Sequence, residues 1–113
     1  MTNNRIDYIE FKAKDLEQIK AFYRACFGWS VSDYGPDYTS FTDGKLNGGF
    51  ERTDGEIAKG ALVVLYHDEL ESSKGKIIEA GGQISKDIFS FPGGKRFHFI
   101  DPSGNELAVW SEK

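Results

Sequence analysis

The chain has 113 residues, a length typical of one domain. Its composition is that of an ordinary globular protein, with 39% hydrophobic and 28% charged residues. The formal net charge is −4 with acidic and basic residues interspersed, so no basic patch indicates a nucleic-acid partner. No apolar run approaches the roughly 20 residues of a membrane span, and the polar N-terminus has no signal-peptide core. We therefore expect a cytoplasmic protein without nucleic-acid or membrane partners, whose single cysteine, Cys26, is a buried and inert thiol.

The first half of the chain reads as a strand, a helix and three strands. Residues 6–13 alternate, with Ile9 and Phe11 on one face and Tyr8 and Glu10 on the other. A helix should begin after Asp15, an N-cap with Gln18 at the capping-box position, and end at Gly28 in a left-handed cap. Turn signals then separate three predicted strands, which lie at residues 29–34, 38–42 and 46–51.

The second half repeats this order. Residues 61–66 predict a strand, and Asp68 can cap a helix whose apolar residues are Leu70, Ile77 and Ile78. That helix should end at Gly81-Gly82. Three further strands are predicted, at residues 83–89, 96–100 and 106–111.

The repeat predicts an α+β fold of two βαβββ modules, with curved mixed sheets around a cleft and the helices outside. The first module spans residues 5–53, a linker spans 54–60, and the second module spans 61–113. Gly48-Gly49 and Gly93-Gly94 match no phosphate-binding loop and are interpreted as hairpin turns or bulges.

Motifs of both halves resemble the vicinal oxygen chelate superfamily, which includes glyoxalases, bleomycin-resistance proteins and extradiol dioxygenases. Residues 8–23 are similar to the first strand and helix of glyoxalase-like proteins, and Phe27-Gly28-Trp29 is similar to their helix exit. Ala80-Gly81-Gly82 and Asp101-Pro102-Ser103-Gly104-Asn105 resemble the matching features of the second module. The resemblance covers essentially the whole chain and implies the same two-module fold.

The resemblance also implies where a divalent metal would bind, and these positions lack suitable donors. By position, the ligand sites of metal-dependent members fall on Tyr8, Leu62 and Ala108, with the fourth within residues 46–51, where Glu51 is the only ligand-type side chain. Leu and Ala have no donor atom, and one carboxylate does not hold a catalytic metal. The chain is therefore similar to the metal-poor glyoxalase-like members, and we expect no metal and no other cofactor.

Strand alternation predicts which residues line the cleft. Glu10 is the candidate catalytic base, or else a carboxylate hydrogen-bonded to polar groups of a neighbouring strand or to Tyr8. It is expected beside Tyr8 and near Val64, Ala108 and Trp110. His98 is either an acid–base or ligand-orienting group, or else a histidine that is exposed or satisfied in the core. Trp110 stacks on a ligand, packs across a dimer interface or fills the core. The predicted ligand-binding residues are Tyr8, Leu62, Val64, Tyr66, His98, Ala108 and Trp110.

Three functions stay open at this point. The first is metal-independent binding of a small aromatic or amphipathic molecule. The second is a lyase or isomerase that uses Glu10 as base, with or without a metal held by a set such as Glu10, Glu51 and His98. The third is a structural or regulatory dimer with a vestigial cleft. A homodimer is expected in each case, because open curved sheets leave edges that attract pairing.

Overall fold

The computed structural model describes residues 3, 6, 8–57 and 59–113. The predicted start of the first module at residue 5 lies outside the described residues, as does residue 58 of the linker. The elements follow the predicted order: β1 (Tyr8–Ala13), α1 (Leu16–Phe27), β2 (Ser30–Asp33), β3 (Tyr38–Thr42), β4 (Asn47–Arg52), β5 (Val63–Tyr66), α2 (Leu70–Glu79), β6 (Gln83–Phe91), β7 (Gly94–Ile100) and β8 (Glu106–Ser111).

The strands form two mixed sheets of four, one in each module, and the predicted α+β fold is confirmed. The strand orders are β1-β4-β3-β2 and β5-β8-β7-β6, so the two sheets repeat one topology. In each sheet the first strand pairs in parallel with the last strand of its module, and the remaining pairs are antiparallel. Consequently β1 and β5 are edge strands, each with one unpaired side within the described chain.

Helix α1 has the caps that the sequence predicts. The side chain of Asp15 accepts a hydrogen bond of 3.1 Å from the Gln18 backbone N–H, which satisfies one free donor of the first turn. At the other end, Gly28 has φ 70°, and its N–H donates to the Arg24 carbonyl. A side chain at this left-handed position would be strained, which explains why the helix ends at a glycine.

Helix α2 departs from the prediction at its start and on its apolar face. The N-cap is Glu69 rather than Asp68, with no side-chain cap bond, and Nδ1 of His67 accepts from the Glu69 N–H instead. Leu70 and Ile77 are buried, but Ile78 is 52% exposed and does not belong to the buried stripe. The helix therefore begins one residue later than the capping prediction has it, and the N–H of its N-cap residue is satisfied by a histidine of the preceding turn.

The Gly48-Gly49 pair lies inside β4, so the prediction of a turn or bulge there is wrong. Both residues continue the regular register with β1 and β3. A methyl group on Gly48 would overlap the ring of Phe41, and one on Gly49 would overlap the hydroxyl groups of Tyr38 and Tyr8. The glycines are therefore required by close packing rather than by a turn. Gly93, with φ 114°, does lie in the β6–β7 hairpin turn.

One hydrophobic core is shared by both modules. On α1, Tyr23 stacks on Trp29 and Phe50 of the first module, at ring distances of 4.6 and 5.3 Å. The neighbouring Phe22 lies 6.1 Å from Phe99 of β7. Helix α1 therefore packs against both sheets and joins the modules through apolar contacts.

The turn at residues 101–105 joins the modules a second time, through hydrogen bonds. Asp101 is 3% exposed and accepts from the backbone N–H groups of Ser103, Gly104 and Asn105, each at 2.9 Å. Its other oxygen accepts from Tyr23 Oη of α1 and from Asn105 Nδ2, both at 2.9 Å. Asn105 Nδ2 also donates to the Lys12 carbonyl of β1. The motif that marks the family resemblance thus has a structural role here.

Neither helix of the described chain is long and apolar enough to cross a membrane.

Candidate functional site

We call the side of each sheet that faces away from the helices its outer face. In β1, Phe11 packs against Phe50 and Phe41 in the core, at ring distances of 5.6 and 6.3 Å. Strand alternation then directs Tyr8 and Glu10 to the outer face of the first sheet. The sequence pattern predicts this same assignment.

The outer face of the first sheet carries a polar cluster. The hydroxyl groups of Tyr8 and Tyr38 are hydrogen-bonded to each other. The Lys12 ammonium group lies between the carboxylates of Glu51 and Glu10, 3.3 Å from the latter, and these two carboxylates raise its pKa. Burial, followed by hydrogen bonds with Tyr8 and Glu10, raises the pKa of Tyr38. Two phenols and a carboxylate are therefore adjacent, with the Glu10 side chain 40% exposed.

The outer face of the second sheet carries aromatic side chains around one arginine. We call this surface the aromatic patch, and its members are Tyr66, Phe89, Phe91, Arg96, His98 and Trp110. The Trp110 ring makes an edge contact of 5.3 Å with Tyr66 and lies 6.5 Å from Phe91. Tyr66 is 50% exposed, whereas Trp110 and the two phenylalanines are half-buried.

The two polar side chains of the aromatic patch have incomplete hydrogen bonding. The Arg96 guanidinium lies between the rings of Phe89 and Phe91, at 5.3 and 5.5 Å, and its buried Nε has no hydrogen-bond partner. His98 is 8% exposed, and its Nδ1 lies 3.3 Å from a carboxylate oxygen of Glu106. The Nε2 of His98 is buried without a partner. Both atoms are unusual, since buried polar groups are nearly always paired.

The remaining predicted ligand-binding residues form the apolar part of this face. Ala108 is fully buried and lies opposite both Val64 and His98 in the sheet register. Leu62 and Val64 are 39% and 43% exposed, which is high for aliphatic side chains on a sheet. The strand register therefore brings Val64, Ala108, His98 and Trp110 onto one surface.

The single chain does not bring Glu10 to that surface. The contacts between modules run through α1 and through the 101–105 turn. In the part of the chain that the structure describes, no hydrogen bond, ion pair or ring contact joins the two outer faces. The expected neighbourhood of Glu10 with Val64, Ala108 and Trp110 is thus not found among the contacts of the described residues, because β1 belongs to one sheet and β5 and β8 belong to the other.

A groove between the modules was not predicted from the sequence. It has a volume of about 860 Å³ and lies between the C-terminal half of α1 and the edge strands β1 and β5. Its apolar lining includes Phe11, Trp29 and Phe41, and its polar rim includes Lys45 and Lys76. Val64 and Tyr66 also line this groove, so β5 borders both the groove and the outer face. The segments that line the groove lie far apart from one another in the sequence, so no local sequence pattern predicts it.

The buried Cys26 borders this groove without being activated. Burial raises the pKa of its thiol to about 11, and the thiol sulfur lies 3.7 Å from the Lys76 carbonyl. The expectation of a buried, unreactive thiol is consistent with this environment.

The donor atoms at the family's metal positions do not fit a divalent ion. Among the described residues there is no group of three or more His, Cys, Asp or Glu side chains that could hold one. The Tyr8 hydroxyl is hydrogen-bonded to that of Tyr38, the Glu51 carboxylate forms an ion pair with Lys12, and Ala108 offers no donor atom. A metal-dependent step therefore has no ligand set in the chain as described.

Comparison with known proteins identifies the fold. The family model of the glyoxalase/bleomycin resistance protein/dioxygenase superfamily matches residues 5–109. No curated protein matches the chain. A glyoxalase/bleomycin resistance protein/dioxygenase family enzyme from Burkholderia phytofirmans PsJN is similar, with a TM-score of 0.83 and 17% identity over 96% of this chain and 100% of that one.

Two further solved structures share the fold. The first is a mutant of the fosfomycin resistance protein FosX from Listeria monocytogenes, in complex with Mn(II) and 1S,2S-dihydroxypropylphosphonic acid. It has a TM-score of 0.83 and 16% identity, covering 97% of this chain and 91% of that one. Lactoylglutathione lyase from Agrobacterium tumefaciens has a TM-score of 0.73 and 18% identity, covering 98% and 96%. Because the family model matches nearly the whole chain and the two-module fold is shared, the chain belongs to the glyoxalase/bleomycin resistance protein/dioxygenase superfamily, which is also called the vicinal oxygen chelate superfamily.

Proposed function

We propose that this protein binds a small aromatic or amphipathic molecule on the aromatic patch, without the divalent metal of its metal-dependent relatives. The observation that carries the proposal is the half-buried ring of Trp110, which lies beside Tyr66 and Phe91. Aromatic rings that remain accessible offer large contact areas at a small cost in conformational entropy. The apolar side chains of Val64 and Ala108 extend the same surface.

The site is completed, in this proposal, by a second copy of the chain. Tyr8, Leu62, Val64 and Tyr66 are exposed by 39 to 50%, and the strands β1 and β5 have free edges. Exposed edges and apolar surface of this kind favour association. The outer face of the first sheet in one copy would then cover the aromatic patch of the other, which would bring Glu10 and Tyr8 to the ligand. Homodimer formation is thus part of the proposed function.

A neutral aromatic probe tests the binding surface. N-phenyl-1-naphthylamine, whose emission increases in apolar surroundings, is titrated into the wild-type protein and into two variants. Trp110→Ala removes a ring from the aromatic patch and should weaken binding about five- to tenfold. Leu46→Ala, in the groove between the modules, serves as the matched control and should leave the affinity unchanged.

Two outcomes would contradict the proposal. If the probe does not bind the wild-type protein, the structural or regulatory dimer becomes the better interpretation. If Leu46→Ala weakens binding and Trp110→Ala does not, the ligand occupies the groove.

The second candidate function is a lyase or isomerase in which Glu10 is the general base. The observation that favours it is the adjacency of the Glu10 carboxylate to the Tyr8–Tyr38 hydroxyl pair, since a phenol hydroxyl can donate to an oxygen on which charge develops. Glu10→Gln preserves the shape of the side chain and should leave folding intact.

The two candidates predict different results for Glu10→Gln. If Glu10 is a catalytic base, the Glu10→Gln variant should still bind the substrate but should no longer turn it over. If the protein only binds its ligand, Glu10→Gln should at most change the affinity for that ligand. By either candidate, activity toward the hemithioacetal of methylglyoxal and glutathione should remain at background. A rate of ~10 s⁻¹, typical of enzymes, would contradict this expectation and the binding-protein candidate.

A further inference from the structure

We infer that the aromatic ligand carries an anionic group, and that Arg96 binds this group on the aromatic patch. The inference rests on the proposed function, because it names the chemical class of the molecule that the patch binds. An aromatic carboxylate or sulfonate has both required parts, a ring and a compact anion.

The first argument is the environment of the Arg96 charge. Two aromatic rings, Phe89 and Phe91, flank the guanidinium at 5.3 and 5.5 Å. These rings hold the planar group in place and remove part of its hydration. Within the described residues, no carboxylate lies within 4 Å of Arg96, and its Nε is buried without a partner. A positioned guanidinium without a counterion is well suited to bind an external anion.

The acidic residues near the aromatic patch are engaged by other groups. Glu106 accepts a 3.1 Å hydrogen bond from Ser85 and lies against His98. Glu112 accepts from the Tyr66 hydroxyl at 2.7 Å. A second cation, Lys86, lies 5.1 Å from the centre of the Phe89 ring, which adds positive charge beside Arg96. Within one copy of the chain, the local balance of charge around Arg96 therefore favours an incoming anion.

His98 provides a second polar contact on the same face. It lies two residues from Arg96 on β7, and its ring is 5.9 Å from that of Phe89. Its buried Nε2 has no partner in the described chain, which an oxygen of the ligand would supply. Nε of Arg96 and Nε2 of His98 thus both lack a hydrogen-bond partner, and they belong to successive residues on the outer face of β7. One polar group of a ligand could satisfy both atoms.

The strand register places the ring-binding surface beside this polar contact. Trp110 on β8 lies directly opposite Arg96 on β7. A ligand whose ring stacks on Trp110 can therefore reach Arg96 with a group attached directly to that ring. This spacing selects small aromatic acids over long-chain amphiphiles.

Two probes with the same aromatic skeleton test the inference. 8-Anilinonaphthalene-1-sulfonate carries a sulfonate that N-phenyl-1-naphthylamine lacks. Wild-type protein should bind the sulfonate at least about tenfold more tightly, since interactions with charged groups are strong. Arg96→Gln should remove this preference, so that the variant binds the two probes with equal affinity. Lys95→Gln is the matched control, because it removes one positive charge from the adjacent residue on the opposite face of β7.

The outcomes separate this inference from the proposed function. Equal affinity of the wild-type protein for both probes, or a preference that survives Arg96→Gln, overturns the inference while the proposed function stands. Binding of neither probe overturns the proposed function itself. If Arg96→Gln does not fold, the wild-type protein decides the question by competition. 2-Naphthoate should then displace the neutral probe at a concentration about tenfold lower than 2-naphthalenemethanol, and equal potency would overturn the inference.

Discussion

Replacement of Asp101 by Ala should be among the most damaging single substitutions in this protein. The carboxylate accepts five hydrogen bonds, three from backbone N–H groups of its own turn and two from the side chains of Asn105 and Tyr23. It is 3% exposed, so water cannot easily replace it in the folded state. Burial raises the pKa of Asp101, and the donors from Asn105, Tyr23 and Ser103 act in the opposite direction.

The expected cost follows from the donors that would be left unpaired. A buried unpaired donor costs about 1–3 kcal/mol, and the costs of donors that share one acceptor do not add fully. We expect Asp101→Ala to lower the free energy of unfolding by about 3–5 kcal/mol. This is a large part of the total stability of about 5–15 kcal/mol that is typical of such domains. Equilibrium urea unfolding, followed by circular dichroism, measures the change.

A double-mutant cycle identifies the mechanism. Tyr23→Phe removes one donor and should cost about 1.5–3 kcal/mol alone, but much less when Asp101 is already Ala. Asp68→Ala is the control, because Asp68 is an exposed residue whose carboxylate lies 3.8 Å from the Lys113 ammonium group, and its loss should change stability by less than about 1 kcal/mol. An Asp101→Ala protein as stable as the control, or additive effects of the two substitutions, would refute the structural role of this turn.

Three further predictions concern metal, assembly and thiol chemistry. Elemental analysis of the purified protein should find no stoichiometric Ni, Zn, Fe or Mn, since Leu62 and Ala108 have no donor atoms; one equivalent that is lost on Glu10→Gln or Glu51→Gln would contradict this. Light scattering should give the mass of a dimer, because the edges of β1 and β5 are open; a monomer at high micromolar concentration would rule it out. Alkylation of Cys26 at about pH 8 should be roughly 200-fold slower in the folded protein than in the unfolded chain. A pKa of about 11 leaves about one thiol in a thousand as the reactive thiolate, whereas about one free cysteine in four is a thiolate at this pH. This rate should keep rising with pH up to about pH 11, and a plateau near pH 8.5 would show that the thiol is not shielded.

Local sequence patterns determined the elements of this protein and the faces of its strands. The caps of α1 and the alternation in β1 depend on neighbours within a few residues, so short-range rules suffice. The repeated strand–helix–strand order then fixed the two-module fold. The resemblance to the family rests on the same local motifs, and the family match confirms it.

Tertiary structure alone decided where the predicted site residues lie relative to one another. Strand alternation assigns Glu10 and Trp110 to outer faces, but these faces belong to two different sheets, and none of the described contacts joins the two residues within one chain. The position of Gly48-Gly49 inside β4 likewise depends on Phe41, Tyr38 and Tyr8, which contact it across the sheet. The sandwich of Arg96 between Phe89 and Phe91 and the groove between the modules require side chains from distant segments. Such contacts are long-range in sequence, and no periodicity within a single segment encodes them.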